Sequence, residues 1–139
     1  MDDALEIARR ALEQGEIDAA LVGAVDLCAE PVHMSAARAV LPEHLQQGGD
    51  AALVLILKRL EDIRRDGDEV LAVLGEERGR VPDVQFGDGE NGLALHTRFG
   101  HAHAASGLLH VAAAALCCAH RLLPSSTDTP PPWKGRAPR

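Results

Sequence analysis

An α/β layered fold is the architecture this 139-residue sequence predicts. Two observations lead there. Residues 19–25 (AALVGAV) and 51–57 (AALVLIL) are apolar at every position, the character of strands buried on both faces, as in parallel sheets. Stretches with helical spacing alternate with them, so helices are expected to cover the strands.

The elements follow in order. Asp2 or Asp3 caps a helix running to about Gln14, with Leu5, Ala8 and Leu12 on one face and Gly15 as its stop. Glu16-Ile17-Asp18 turns the chain into the strand at 19–25. Residues 30–46 hold a short helical stretch with Ala36, Ala37, Val40 and Leu41 as its apolar face, broken by Gln47-Gly48-Gly49-Asp50. After the strand at 51–57, residues 58–65 form a short charged helix closed by Asp66-Gly67-Asp68, and 70–74 (VLAVL) is a third strand. Residues 75–92 are rich in Gly and acidic groups around Pro82 and read as a loop. Residues 102–123 are Ala- and Leu-rich, a helix buried on most sides, and Pro124 ends it. Residues 125–139 form an extended Pro-rich tail. So few elements leave the apolar strands short of cover, which implies oligomerisation or membership of something larger.

Composition removes several function classes. Hydrophobic residues make up 46% and charged residues 25%, which is globular usage. Aromatics are 2%, so Leu, Val, Ile and Ala must fill the core and little is left for stacking bases. A net charge of −7 is the wrong sign for a nucleic-acid partner or an anionic membrane surface. No apolar run is expected to reach the ~18–20 residues of a spanning helix. Met1-Asp2-Asp3 is too acidic for a signal peptide. Cys28 stands far from the adjacent Cys117 and Cys118, which is neither a disulfide framework nor a zinc pattern, and reduced, buried thiols in a cytoplasmic protein are expected.

Few constellations carry chemistry. His103, His110 and Cys117 are spaced by seven along the last helix, and a step of seven rises ~10 Å, too far for one metal ion. His101 and His103, two apart, are expected to point in different directions, so no metal site is assigned. Gly100-His101 stands at the expected helix start, where a neutral His can donate to a carbonyl or oxyanion. Gly87-Asp88-Gly89-Glu90-Asn91-Gly92 has the look of a cation loop but lacks the alternating oxygen ligands and distal Glu of an EF-hand. GxSxG, P-loop and GxGxxG motifs are absent from the sequence, and no cofactor is expected. Lys58-Arg59 and Arg64-Arg65 among Glu61, Asp62, Asp66 and Asp68 read as a solvated face.

Three segments together resemble the β-ketoacyl synthase family of fatty acid and polyketide synthases. Residues 11–25 (ALEQGEIDAALVGAV) are similar to the helix, turn and strand that follow that family's nucleophilic cysteine. Residues 49–62 (GDAALVLILKRLED) with Asp66-Gly67-Asp68 resemble its strand, "LKRLxDA" run and "DGD" turn. Residues 99–107 (FGHAHAASG), followed by Arg121-Leu122-Leu123-Pro124, resemble its "IGHxxAAxG" helix and "LPP" stop. They occur in family order.

The resemblance implies a thiolase-like layered sheet-and-helix fold, here truncated, and an acyltransferase ancestry. In that family a Cys thiolate accepts an acyl group from a carrier protein, and two histidines assist decarboxylative condensation. Only His101 matches one of those three positions. None of Cys28, Cys117 or Cys118 falls where the nucleophile belongs, which is just before Met1. The "HGTGT" segment has no counterpart, and His96 stands at the lysine position. The expected organisation is a partial ketosynthase-like α/β domain at 1–124, with the loop 75–92 at an internal deletion, then the tail 125–139. Three readings follow: a non-catalytic ketosynthase-like partner or remnant, a fragment completed by another segment that supplies the Cys, and a small α/β scaffolding protein with ancestral resemblance only. The partners expected are synthase subunits or an acyl carrier protein, in a homo- or hetero-oligomer, with no nucleic acid and no membrane.

Overall fold

Leu5, Ala8 and Leu12 recur at helical spacing, and all three are buried in the first helix, α1 (Asp3–Glu13). A computed structural model describes residues 3–28, 30–75, 84–87 and 92–122. Gly15, at φ 71°, ends the helix by donating its N–H to the Leu12 carbonyl at 3.1 Å, the left-handed stop the sequence anticipates.

The chain then enters β1 (Ala19–Asp26), and after α2 (Pro31–Val40) it returns as β2 (Ala51–Lys58). The two strands pair antiparallel, with Ala19 opposite Lys58 and Asp26 opposite Ala51. The expectation of a parallel, doubly covered sheet is corrected here. Ala20, Val22 and Ala24 of β1 and Leu53, Leu55 and Leu57 of β2 point to one face. There Leu5, Ala8, Val22 and Leu108 form the core cluster, and the other inward residues pack around it. The opposite face is as apolar but open: Leu21 is 74% exposed, Val25 66%, Val54 62% and Ile56 72%. Continuous apolarity therefore marks a strand whose second face has no cover among the described residues.

Arg59 precedes α3 (Leu60–Asp66) and ties the structure together. It donates to the carbonyls of Leu12 at 3.1 Å and Ile17 at 2.7 Å and ion-pairs with Asp18 and Asp62, each at 2.6 Å. Arg65 pairs with the other Asp62 oxygen at 2.7 Å, and Lys58 with Asp66 and Asp68. This segment is not merely a solvated face, because Asp62 is buried within it. Gly67, at φ 74°, closes α3 as expected. Residues 70–74 form no strand. Val70, Leu71, Val73 and Leu74 are all exposed, so no buried face fixes a register. They line a groove of about 1120 Å³ beside β2.

A short helix α4 (His96–Phe99), a 3-10 turn (His103–Ala105) and α5 (Ser106–His120) complete the described chain. The expected buried helix from residue 102 is corrected twice. It starts at Ser106, and only Leu108 of it is buried, with Val111 partly so. The 18-residue window His103–His120, of mean hydropathy 1.2, is long and apolar enough by length and composition to cross a membrane, a run the sequence reading did not expect. Leu108 within it is seated in the core. The architecture is mixed α/β, as predicted, with a two-stranded sheet, and it does not display a thiolase fold. The helix expected to run to residue 123 ends at His120, where Arg121 turns left-handed at φ 52° and its N–H caps the Cys118 carbonyl. The tail 125–139 and most of the loop 75–92 lie outside the described residues.

Candidate functional site

Polar groups converge where the sheet ends. β1 delivers Asp26 there, and two residues later Cys28 is 2% exposed. The Cys28 backbone N–H donates to Asp50 Oδ1 at 2.7 Å, which anchors the strand exit to the start of β2. The Cys28 thiol donates to Asp26 Oδ1 at 3.2 Å and lies 3.7 Å from the His101 carbonyl. Asp26 Oδ2 accepts the Ala104 N–H at 3.0 Å, joining the strand to the turn before α5.

Glycines let the two backbones meet. The His101 N–H donates to the Gln47 carbonyl at 2.7 Å, and the Gly49 N–H donates to the His101 carbonyl at 3.1 Å. A Cβ on Gly49 would stand 1.8 Å from the Phe99 carbonyl oxygen, and one on Gly100 (φ 77°) 2.6 Å from that of Gly48. Gln47-Gly48-Gly49-Asp50 is thus more than a helix breaker. It receives the segment that carries His101.

His101 does not sit at a helix start; it is bridged to Gly48, five residues before α5 begins. Its Nδ1 accepts the His103 N–H at 2.9 Å and lies 3.2 Å from Ser106 Oγ. A neutral ring with Nδ1 accepting carries its proton on Nε2. His101 and His103 do not diverge as expected. Their rings stack with centroids 4.7 Å apart, because His103 adopts a left-handed φ of 36° that folds the chain back. His33 of α2 meets the His103 ring edge-on at 4.4 Å. His103 precedes α5 and so leaves the stripe of His110 and Cys117. His96, at the position of the family lysine, lies in α4 with its ring 5.7 Å from that of His44.

Electrostatics follow from burial. Desolvation, reinforced by the Asp26 carboxylate, pushes the Cys28 thiol up to about 11. At neutral pH it is a protonated, unreactive group. Asp26 is held below the ordinary carboxylate range by the thiol's hydrogen bond, the Ala104 N–H and the nearby histidines. Burial also raises Cys117, which is half-buried, whereas Cys118 is exposed, so the expectation of buried thiols holds in full only for Cys28. Ligand-capable atoms of Cys28, His33 and His103 all lie within 4.8 Å of one another. The sequence reading missed Asp26, Cys28 and His33. Their one local signal is a pair of polar residues just past an apolar strand; the rest of the grouping is tertiary.

No protein-family model matches the chain, and no solved structure matches it. Parts of three curated proteins do. A PKS-NRPS hybrid synthetase of Aspergillus candidus is 38% identical over 105 residues, covering 66% of this chain. A 5-methyl-1-naphthoate synthase of Streptomyces sahachiroi is 38% identical over 80 residues, covering 48%. A highly reducing polyketide synthase of a Dothideomycetidae species is 32% identical over 103 residues, covering 62%. The chain spans only 4% of the length of each relative. It is therefore similar to a small piece of polyketide synthases.

Proposed function

We propose that this chain is a ketosynthase-like segment that serves a polyketide synthase system as a non-catalytic partner. One observation carries the reading: the open apolar face of the sheet, formed by Leu21, Val25, Val54 and Ile56. A face of four large aliphatic side chains is costly to leave in water and is the kind of surface a subunit contact covers. The partial similarity to polyketide synthases supplies the kind of partner. The buried, protonated Cys28 supports the non-catalytic part, since acyl transfer needs a thiolate. The three free cysteines fit the reducing cytoplasm in which such a complex would work.

The test is co-expression with a Cys-bearing ketosynthase segment from a polyketide synthase, followed by size-exclusion chromatography with light scattering. A stoichiometric complex that Ile56→Glu disrupts supports the reading. Separate elution of the two chains contradicts it.

A second reading is favoured by His101 alone. Its Nδ1 is tied to the His103 N–H, so an Nε2–H donor is held at a fixed orientation, as oxyanion stabilisation requires. In that reading the partner supplies the Cys and the other His. His101→Ala would then abolish condensation in the complex, and an unchanged rate would remove this reading.

A further inference from the structure

We propose that Cys28, His33 and His103 form a binding site for a transition-metal ion of the zinc class, with three protein ligands and a fourth position open. The donor set is one sulfur and two imidazole nitrogens, the combination that zinc and its neighbours prefer. The three ligand atoms already lie within 4.8 Å of one another. Tetrahedral bonds of ~2.0–2.3 Å need them about 3.5 Å apart, so side-chain rotation of about an ångström closes the site.

His103 supplies an independent sign. Its Nε2 is buried without a hydrogen-bond partner. A buried imidazole nitrogen left unmatched is costly, and a metal ion is one group that would satisfy it. The residue is also held in a conformation that L-residues rarely adopt, at φ 36°, with its N–H fixed by His101 Nδ1. Strain of this sort is retained where something over-determines it.

Charge balances as well. On binding, the Cys28 S–H bond breaks, the sulfur–metal bond forms, and the proton leaves to solvent. The thiolate and the Asp26 carboxylate, whose Oδ1 is 3.2 Å from the sulfur, then neutralise a divalent ion. Asp26 and the stacked His101 ring surround the ligands without being assigned as ligands. The ion would join the exit of β1, the helix α2 and the turn before α5. α2 gains most, since Ala37 is its only buried residue among those described.

The experiment uses the full chain carrying Cys117→Ser and Cys118→Ser, stripped with chelator, so that Cys28 is the sole thiol. Cobalt(II) is titrated in and followed by the sulfur-to-cobalt charge-transfer absorption and the visible bands of a tetrahedral ion, then displaced with zinc(II). The proposal expects one equivalent bound, a charge-transfer band lost in Cys28→Ser, and at least roughly tenfold weaker binding in His33→Ala and His103→Ala. It also expects zinc to raise the Tm of the parent but not of His33→Ala. Should Cys28→Ser fail to fold by circular dichroism, His33→Ala carries the test, because His33 is half-buried and lies outside the core cluster, on a helix whose one buried residue is Ala37. Absence of the cobalt bands, or cobalt affinity and zinc-induced Tm shift unchanged in His33→Ala, overturns the proposal.

Discussion

Replacing Leu108 with Ala probes the only layer of packing that the described residues complete. Leu108 is 0% exposed and meets Leu5, Ala8 and Val22 between the helices and the inner sheet face. Truncating a fully buried Leu removes its transfer free energy and leaves a cavity, together ~2–5 kcal/mol. Leu53, Leu55 and Leu57 around it are only partly buried, so neighbours can relax into the gap. That places the loss at about 3 kcal/mol, a large share of the ~5–15 kcal/mol typical of a domain. With a urea slope of ~2 kcal/mol/M, the unfolding midpoint should fall by about 1.5 M. Ile56→Ala is the matched control. Ile56 is 72% exposed on the open face, so its truncation should change the stability of the isolated chain by less than about 0.5 kcal/mol. Urea unfolding followed by circular dichroism measures both. Equal losses, or a loss below about 1 kcal/mol for Leu108→Ala, would refute the assignment of inner and outer faces.

Four other outcomes are expected. Gly49→Ala should lower the Tm by a large step and disturb the His101 resonances in NMR spectra, because its Cβ would collide with the Phe99 carbonyl at 1.8 Å. Wild-type Tm and spectra in that variant would contradict the close approach. Arg59→Ala should lower the Tm more than Arg64→Ala, since Arg59 joins the Leu12 and Ile17 carbonyls to Asp18 and Asp62. Cys28 should be the last thiol to react with a disulfide reagent, after exposed Cys118 and half-buried Cys117. Its folded pKa, raised from 9.0 to about 11, means that the unfolded chain releases this proton first as pH rises. Stability should therefore fall as pH rises from 9 to about 11, which alkaline urea melts of wild type and Cys28→Ala would separate.

Local order was legible in the sequence because its causes are local. The Leu5, Ala8 and Leu12 spacing located α1, Gly15 and Gly67 stopped their helices, and the two apolar runs became β1 and β2. Strand direction was not legible, because an apolar run on both faces looks the same whether helices or a missing partner cover it. The run 70–74 has strand composition, yet composition cannot supply the ladder or the buried face that a strand requires. His101 was singled out by its motif, while its neighbours depend on contacts far apart in sequence. His33 reaches His103 across the fold, and the left-handed φ of His103 breaks the helical spacing from which its direction was read.

We propose the open face of the sheet as the contact for a polyketide synthase partner. Backbone hydrogen exchange across β1 and β2 tests it most directly, measured on the chain alone and after mixing with a Cys-bearing ketosynthase segment. Peptides holding Leu21, Val25, Val54 and Ile56 should gain protection on mixing, and Ile56→Glu should abolish the gain. Unchanged exchange in those peptides would contradict it.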